Sequence, residues 1–143
     1  MNNFDVESEI KDWKGQIILT ILILCHWPSA ESYTRRKFPN LVKDHHLEIF
    51  KKVHESFVKS FVLSVLLFLL MLLSVLCFSS YKIDSTIWLQ GISATIAYAT
   101  TFSHPHPSDM SLGGEGLQEK VSSYIFKIAH FFTVLTLVLL SLK

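Results

Sequence analysis

The sequence has few charged residues and a long stretch with none. Charged side chains make up 17% of the 143 residues, whereas a soluble domain has about 25%. No charge occurs between Ser60 and Tyr81, and a helix of that length can cross the roughly 30 Å hydrocarbon layer of a bilayer. The composition therefore argues against an ordinary soluble domain. It predicts a single all-α, polytopic integral membrane domain covering residues 1–143.

Patterns typical of catalysis, metal binding and nucleic-acid binding are also missing. The two cysteines, Cys25 and Cys77, lie in apolar stretches and do not resemble a disulfide framework or a zinc site. The seven histidines form no HExxH pattern, and His26 and His130 lie at different predicted depths, which disfavours haem. A net charge of +1 gives no reason to expect nucleic-acid binding. We therefore predict no enzymatic activity, no cofactor and no metal site.

Four apolar stretches are predicted to be transmembrane helices: residues 13–28, 58–80, 85–103 and 121–142. The link between the second and third is so short that these helices must be antiparallel. The first stretch has a shorter uncharged run and could instead be an interfacial or buried segment. Its flanking Trp13 and Trp27 would lie about 21 Å apart along a helix, which favours a span with one indole at each membrane face.

Basic residues are concentrated between the first two stretches, and this predicts the orientation. The segment 29–57 should face the cytoplasm, because short loops rich in Lys and Arg stay on that side. Loop 104–120 is then cytoplasmic, and the turn near Lys82 and the carboxyl terminus are external. The amino terminus is external if the first stretch spans. We expect the bacterial inner membrane as the location.

Residues 41–57 are predicted to form a juxtamembrane cytoplasmic helix that continues into the second span. Phe50, Val53 and Phe57 recur at helical spacing on one face of it. Its basic side chains could be held against anionic lipid headgroups or could bind a soluble cytoplasmic protein, and both interpretations stay open. The basic residues predicted to bind such a partner are Arg35, Arg36, Lys37, Lys43, Lys51 and Lys52.

Small and polar residues distinguish the last two stretches from the Leu-rich 58–80, which is predicted to face lipid. Small side chains in 85–103 permit close helix packing, and polar side chains recur on one face of 121–142. These two faces are predicted to form a helix interface or, alternatively, to line a pore. The residues are Gln90, Gly91, Ser93, Ala94, Ala97, Tyr124, Lys127 and His130.

Three functions are compatible with this organisation. The first is an oligomeric membrane anchor or sensor that recruits a soluble cytoplasmic effector; the others are a pore-forming effector or channel, and an immunity protein against a pore-forming toxin. With four spans, a basic cytoplasmic loop and little outside the membrane, the chain resembles the membrane subunits of two-gene bacterial phage-defence systems such as Kiwa. The resemblance implies a homo-oligomer that responds to events at the envelope and passes them to a cytoplasmic partner through residues 35–59.

Overall fold

The chain is all-helical, as the sequence predicts. The computed structural model describes residues 3–78, 83–103 and 116–142, which are 89% helical and contain no strand. Half of the predicted external turn, including Lys82, and most of the second predicted cytoplasmic loop therefore lie outside the described residues. The helices are α1 (Asn3–Lys11), α2 (Trp13–Cys25), α3 (Trp27–Lys37), α4 (Asp44–Phe78), α5 (Ser85–Phe102) and α6 (Leu117–Ser141).

Helices α4, α5 and α6 form a bundle in which α5 packs between the other two. At one end, the Ser56 hydroxyl of α4 donates to the Phe102 carbonyl at the end of α5, at 2.9 Å. At the other end, the Gln90 amide of α5 donates to the Leu139 carbonyl of α6, also at 2.9 Å. Helix α5 is therefore antiparallel to both neighbours.

Two of the described helices, α4 and α6, are long and apolar enough to cross a membrane. In the most apolar 18-residue stretch of each helix, only 6% of α4 and 11% of α6 is buried inside the chain. A core helix of a soluble protein would instead bury most of its apolar side chains. The predicted count of four spans is not confirmed, and two helices qualify as candidate spans by length and composition.

Helix α4 is continuous over 35 residues, about 52 Å. It joins the predicted juxtamembrane helix to the predicted second span, so the expectation that one runs into the other is confirmed. The helix begins at Asp44, after the chain has turned at Pro39 and Asn40. The Lys43 backbone N–H donates to Nδ1 of His46 at 3.1 Å, which pairs a backbone donor at the helix start.

The first apolar stretch folds as a helical hairpin rather than as one helix over 13–28. His26 has an extended backbone (φ −154°, ψ 98°) that ends α2, and Pro28 lies in the first turn of α3, where its missing N–H is tolerated. Helix α3 then runs back along α2, so that the Lys37 ammonium lies 3.2 Å from the Asp12 carboxylate. The two ends of residues 12–37 are thus brought together, and α2 does not separate the acidic amino-terminal segment from the basic loop as the predicted span would.

The main hydrophobic core lies where this hairpin meets the beginnings of α4 and α6. Its fully or almost fully buried members are Leu19, Ile23, Ala30, Phe38, Phe50, Val53, Leu117, Val121 and Ile125. Burying each large aliphatic or aromatic side chain contributes about 1.5–3 kcal/mol. We call this part of the molecule the platform: α2, α3, residues 44–57 of α4 and residues 117–128 of α6.

Candidate functional site

The basic residues predicted to bind a partner are all exposed, on the platform or in the turn between α3 and α4. Three of them form the last turn of α3, where positive charge complements the helix dipole. The others lie in the turn before α4 or on the exposed face of its first half. The six are Arg35, Arg36, Lys37, Lys43, Lys51 and Lys52.

Two of these six are used in ion pairs within the chain. Arg35 lies 3.2 Å from Glu31 and 3.5 Å from Asp44, and Lys37 pairs with Asp12. Exposed pairs of this kind contribute less than about 1 kcal/mol each, but they neutralise both charges. The remaining four make no ion pair with another described residue. We call them the unpaired basic residues: Arg36, Lys43, Lys51 and Lys52.

Asp12 connects the two ends of the hairpin through a hydrogen bond in α2 and an ion pair with α3. Its carboxylate caps α2 by accepting the Gly15 backbone N–H at 3.0 Å. This hydrogen bond and the neighbouring Lys37 ammonium lower the pKa of Asp12 below 3.8, against the opposing effect of partial burial. The carboxylate is therefore charged at neutral pH and holds both ends of the hairpin together.

His54 has a structural role that the sequence analysis did not identify. Its ring is half-buried, and Nδ1 lies 2.7 Å from the Ile23 carbonyl oxygen of α2. Because a carbonyl can only accept, Nδ1 donates and carries the proton. The signal that could have revealed it is helical spacing, since His54 lies four residues after Phe50 and three before Phe57, both of which face the core.

His46 lies at the start of α4 beside His45, with ring centroids 3.8 Å apart. Burial first and the adjacent His45 second lower the pKa of His46 below 6.5. The neutral ring is the form that can accept the Lys43 N–H. The start of α4 therefore depends on an uncharged imidazole.

The predicted residues of α5 lie mainly at contacts within the chain. Besides the Gln90 hydrogen bond to α6, the Ser93 hydroxyl lies 2.8 Å from that of Thr136. Gly91 packs against α4 so closely that an added Cβ would lie 2.0 Å from the Phe68 ring. Ala97 is buried and Ala94 is exposed. In one copy of the chain, the polar side chains of Gln90 and Ser93 therefore face α6.

The predicted polar face of α6 points away from the other helices. Tyr124 is half-buried, and Lys127 and His130 are exposed. The Lys127 ammonium lies 5.3 Å from the Tyr124 ring centroid, and the His130 ring stacks on Phe126 with centroids 6.3 Å apart. The structure does not bring these residues together with those of α5. A single copy of the chain leaves this face uncovered.

No protein-family model, curated protein or solved structure matches the chain. The phage-defence resemblance therefore remains a prediction from architecture, as do self-association and effector recruitment. Within residues 3–78, 83–103 and 116–142, no group of three His, Cys, Asp or Glu side chains could hold a metal ion. His104 and His106 lie outside those ranges.

Proposed function

We propose that the chain is a membrane anchor subunit whose platform holds a soluble protein on the cytoplasmic side. The observation that carries the proposal is a separation of surfaces along α4. The unpaired basic residues Lys51 and Lys52 are exposed in its first half, and apolar side chains are exposed over its second half. One helix thus links a surface suited to lipid with a surface suited to a charged partner.

The membrane placement rests on the exposed apolar side chains. Most leucines of α4 are about half exposed, although Leu72 is buried, and α6 likewise presents Phe131 and Leu137. Soluble monomers rarely expose contiguous apolar patches larger than a few hundred Å². In the proposal α5 also crosses the membrane, because it packs between α4 and α6 and its Gln90 and Ser93 form hydrogen bonds to α6, as polar groups in hydrocarbon require.

In this arrangement the α2–α3 hairpin lies at the cytoplasmic membrane face. Trp13, Ile18 and Ile21 are apolar side chains of α2 that are exposed to the surroundings. A hairpin that presents apolar side chains on α2 and basic side chains on α3 can rest at the boundary between headgroups and acyl chains, with the basic side chains toward anionic lipids. The positive charge of segment 29–57 favours the cytoplasmic side of the bacterial inner membrane.

The partner is proposed to be acidic. The four unpaired basic residues attract negative charge and would steer association, whereas Arg35 and Lys37 are already neutralised within the chain. Self-association is part of the proposal, because His130 faces outward from a candidate span beyond the platform, and polar groups at membrane depth normally face protein or water rather than lipid. The role in antiviral defence rests on the architectural resemblance alone.

A pore has less support from the contacts. Of its proposed lining residues, Gln90 donates from its NH2 to the Leu139 carbonyl, and the Ser93 hydroxyl is hydrogen-bonded to that of Thr136, both within the same chain. A pore would need these contacts to break or other polar side chains to line the axis. We therefore retain the anchor function.

The experiment is co-expression with the soluble product of the adjacent gene, followed by purification of the complex in mild detergent. Resistance of the chain to alkaline extraction from membranes tests the membrane placement. A Lys51→Glu/Lys52→Glu double variant is expected to lower recovery of the partner at least tenfold, because it reverses two unpaired charges. The matched control is Lys14→Glu/Lys120→Glu, which reverses two exposed lysines outside the set of unpaired basic residues.

Equal recovery of the soluble partner with both double variants would contradict the assignment of the docking surface. Absence of any stoichiometric partner on wild-type protein purified from its native membranes would contradict the anchor function itself. Release of the chain by alkaline extraction would contradict the membrane placement.

A further inference from the structure

A cavity of about 420 Å³ lies between α4, α5 and α6, away from the platform. Residues 64–71 of α4 form one wall, residues 87–98 of α5 form the floor, and Thr136 and Leu140 of α6 close the other side. Gly91 allows the Phe68 ring to lie directly against the α5 backbone at this point. The cavity therefore depends on the close approach of α4 and α5.

The cavity is a groove along α5 that is open on one side. Its α5 residues, from Ile87 to Tyr98, follow one helical face and extend over about 16 Å of the helix axis. An α-helical segment of that length, about 10–12 Å across with its side chains, has a volume several times 420 Å³. An extended hydrocarbon chain can therefore lie within the groove, whereas a helix from a second copy could place only side chains in it.

The lining is mainly apolar. Among its polar groups, the Gln90 NH2 donates to the Leu139 carbonyl of α6, and the Thr136 hydroxyl donates to the Phe132 carbonyl at 2.7 Å. The hydroxyls of Ser64, Thr95 and Tyr98 also line the cavity, and Thr95 is the buried one of the three. Because aliphatic and aromatic side chains predominate over these few hydroxyls, the lining favours an apolar occupant over one with several polar groups.

We propose that this cavity holds one acyl chain of a membrane lipid, lying parallel to α5. The rim residues Leu67 and Met71 are half exposed, so the cavity opens toward whatever surrounds the bundle. In the membrane placement proposed above, the surroundings are lipid acyl chains. The inference rests on that placement and is independent of the cytoplasmic partner.

The test is native mass spectrometry of the full-length protein, released into mild detergent from nanodiscs of palmitoyl-oleoyl phosphatidylglycerol. Ala94→Phe and Leu67→Trp each place a larger side chain in the cavity from a different helix. Ile92→Phe and Leu66→Trp are their matched controls, since both residues are about half exposed and lie outside the lining. Circular dichroism confirms that each variant keeps its helix content.

We expect one lipid retained per chain in the wild type and in both controls, and at least a fivefold loss of that lipid in both filling variants. Thr95→Val, which removes the buried one of the three lining hydroxyls and keeps the shape, should retain the lipid. Wild-type protein without bound lipid, or equal retention in all variants, would overturn the proposal. Loss of the lipid in Thr95→Val would also overturn the proposal, in favour of a ligand that needs the Thr95 hydroxyl. A change of oligomer mass in the filling variants without loss of lipid would assign the cavity to a second copy. Alkaline extraction of the same variants separates these outcomes from a failure of the membrane placement.

Discussion

Replacing His54 by leucine should loosen the attachment of α2 to α4. Leucine keeps an apolar side chain of similar size in the core but cannot donate to the Ile23 carbonyl, which Nδ1 contacts at 2.7 Å. Ile23 lies among the last four residues of α2, whose carbonyls lack partners within the helix. The substitution therefore removes a hydrogen bond that α2 cannot replace from its own backbone.

The expected magnitude follows from burial. The Ile23 residue has no solvent exposure, so its carbonyl cannot gain a water molecule while the core stays closed. Leaving a buried acceptor unpaired costs about 1–3 kcal/mol. This free energy corresponds to roughly a 5- to 150-fold shift in the equilibrium for local opening of α2.

Hydrogen–deuterium exchange of the detergent-solubilised protein measures this shift directly. Peptides covering residues 15–25 should exchange roughly 5- to 150-fold faster in His54→Leu, while peptides from α5 should be unchanged. His54→Gln can still donate from its amide, so its exchange rate over residues 15–25 should lie between those of the wild type and His54→Leu. His130→Leu is the matched control, because that ring is exposed on α6.

Unchanged exchange of residues 15–25 in His54→Leu would refute the reasoning. It would mean that the imidazole contact does not hold the hairpin on the platform. Equal acceleration across α2, α5 and α6 would also count against it, since that result indicates global rather than local destabilisation.

Three further predictions concern the helix ends and the α5–α6 contact. Folding lowers the pKa of His46 below 6.5, and the neutral ring accepts the Lys43 N–H. The contribution of this ring to stability is therefore complete above pH 6.5 and is lost as the pH falls through the lower pKa of the folded state. Thermal unfolding from about pH 7.5 to about pH 5.5 should show this slope in the wild type and not in His46→Asn; equal slopes would contradict it. Asp12→Ala should lower stability to urea by about 1 kcal/mol through loss of the α2 cap, and because the folded pKa is depressed, the difference should persist at neutral pH and shrink as the pH falls below 3.8. Ser93→Ala should lower stability by about 0.6 kcal/mol, the usual size of a hydrogen bond between membrane helices; a double-mutant cycle with Thr136→Val that gives no coupling would contradict this contact.

The long apolar helices could be predicted from the sequence because their signal is local. Residues 58–80 and 121–142 were predicted as spans, and the structure has α4 and α6 at Asp44–Phe78 and Leu117–Ser141. Residues 85–103 coincide with α5 at Ser85–Phe102. An uncharged run of this length has few alternatives to a helix, so composition alone was sufficient.

The α2–α3 hairpin could not be predicted in the same way. A run of 13–16 apolar residues has the same composition whether it spans, lies at an interface or is buried. Trp13 and Trp27 favoured a span, but the structure ends α2 at Cys25 and packs Ile23 against the beginnings of α4 and α6. That choice depends on partners far away in the sequence.

Only part of the candidate site could be predicted from the sequence, because ion pairing also depends on residues that are far apart in the chain. Charge concentration marks the basic residues of α3 and α4 in the sequence, but not which of them are already paired, because Asp12 reaches Lys37 through the hairpin. The cavity was not predicted at all. It depends on the register that places Gly91 of α5 against Phe68 of α4, and register between helices is a tertiary property.

The unbroken length of α4 has a mechanical consequence. Phe50 and Val53 fix its first half in the platform core, and Phe68 fixes its second half against Gly91. A continuous helix of about 52 Å without proline or glycine has no internal hinge. In the proposed membrane placement, a change of tilt in the apolar half, such as a change in bilayer thickness produces, would therefore move Lys51 and Lys52 as well. The helix would then convert strain in the membrane into displacement of a charged surface outside it.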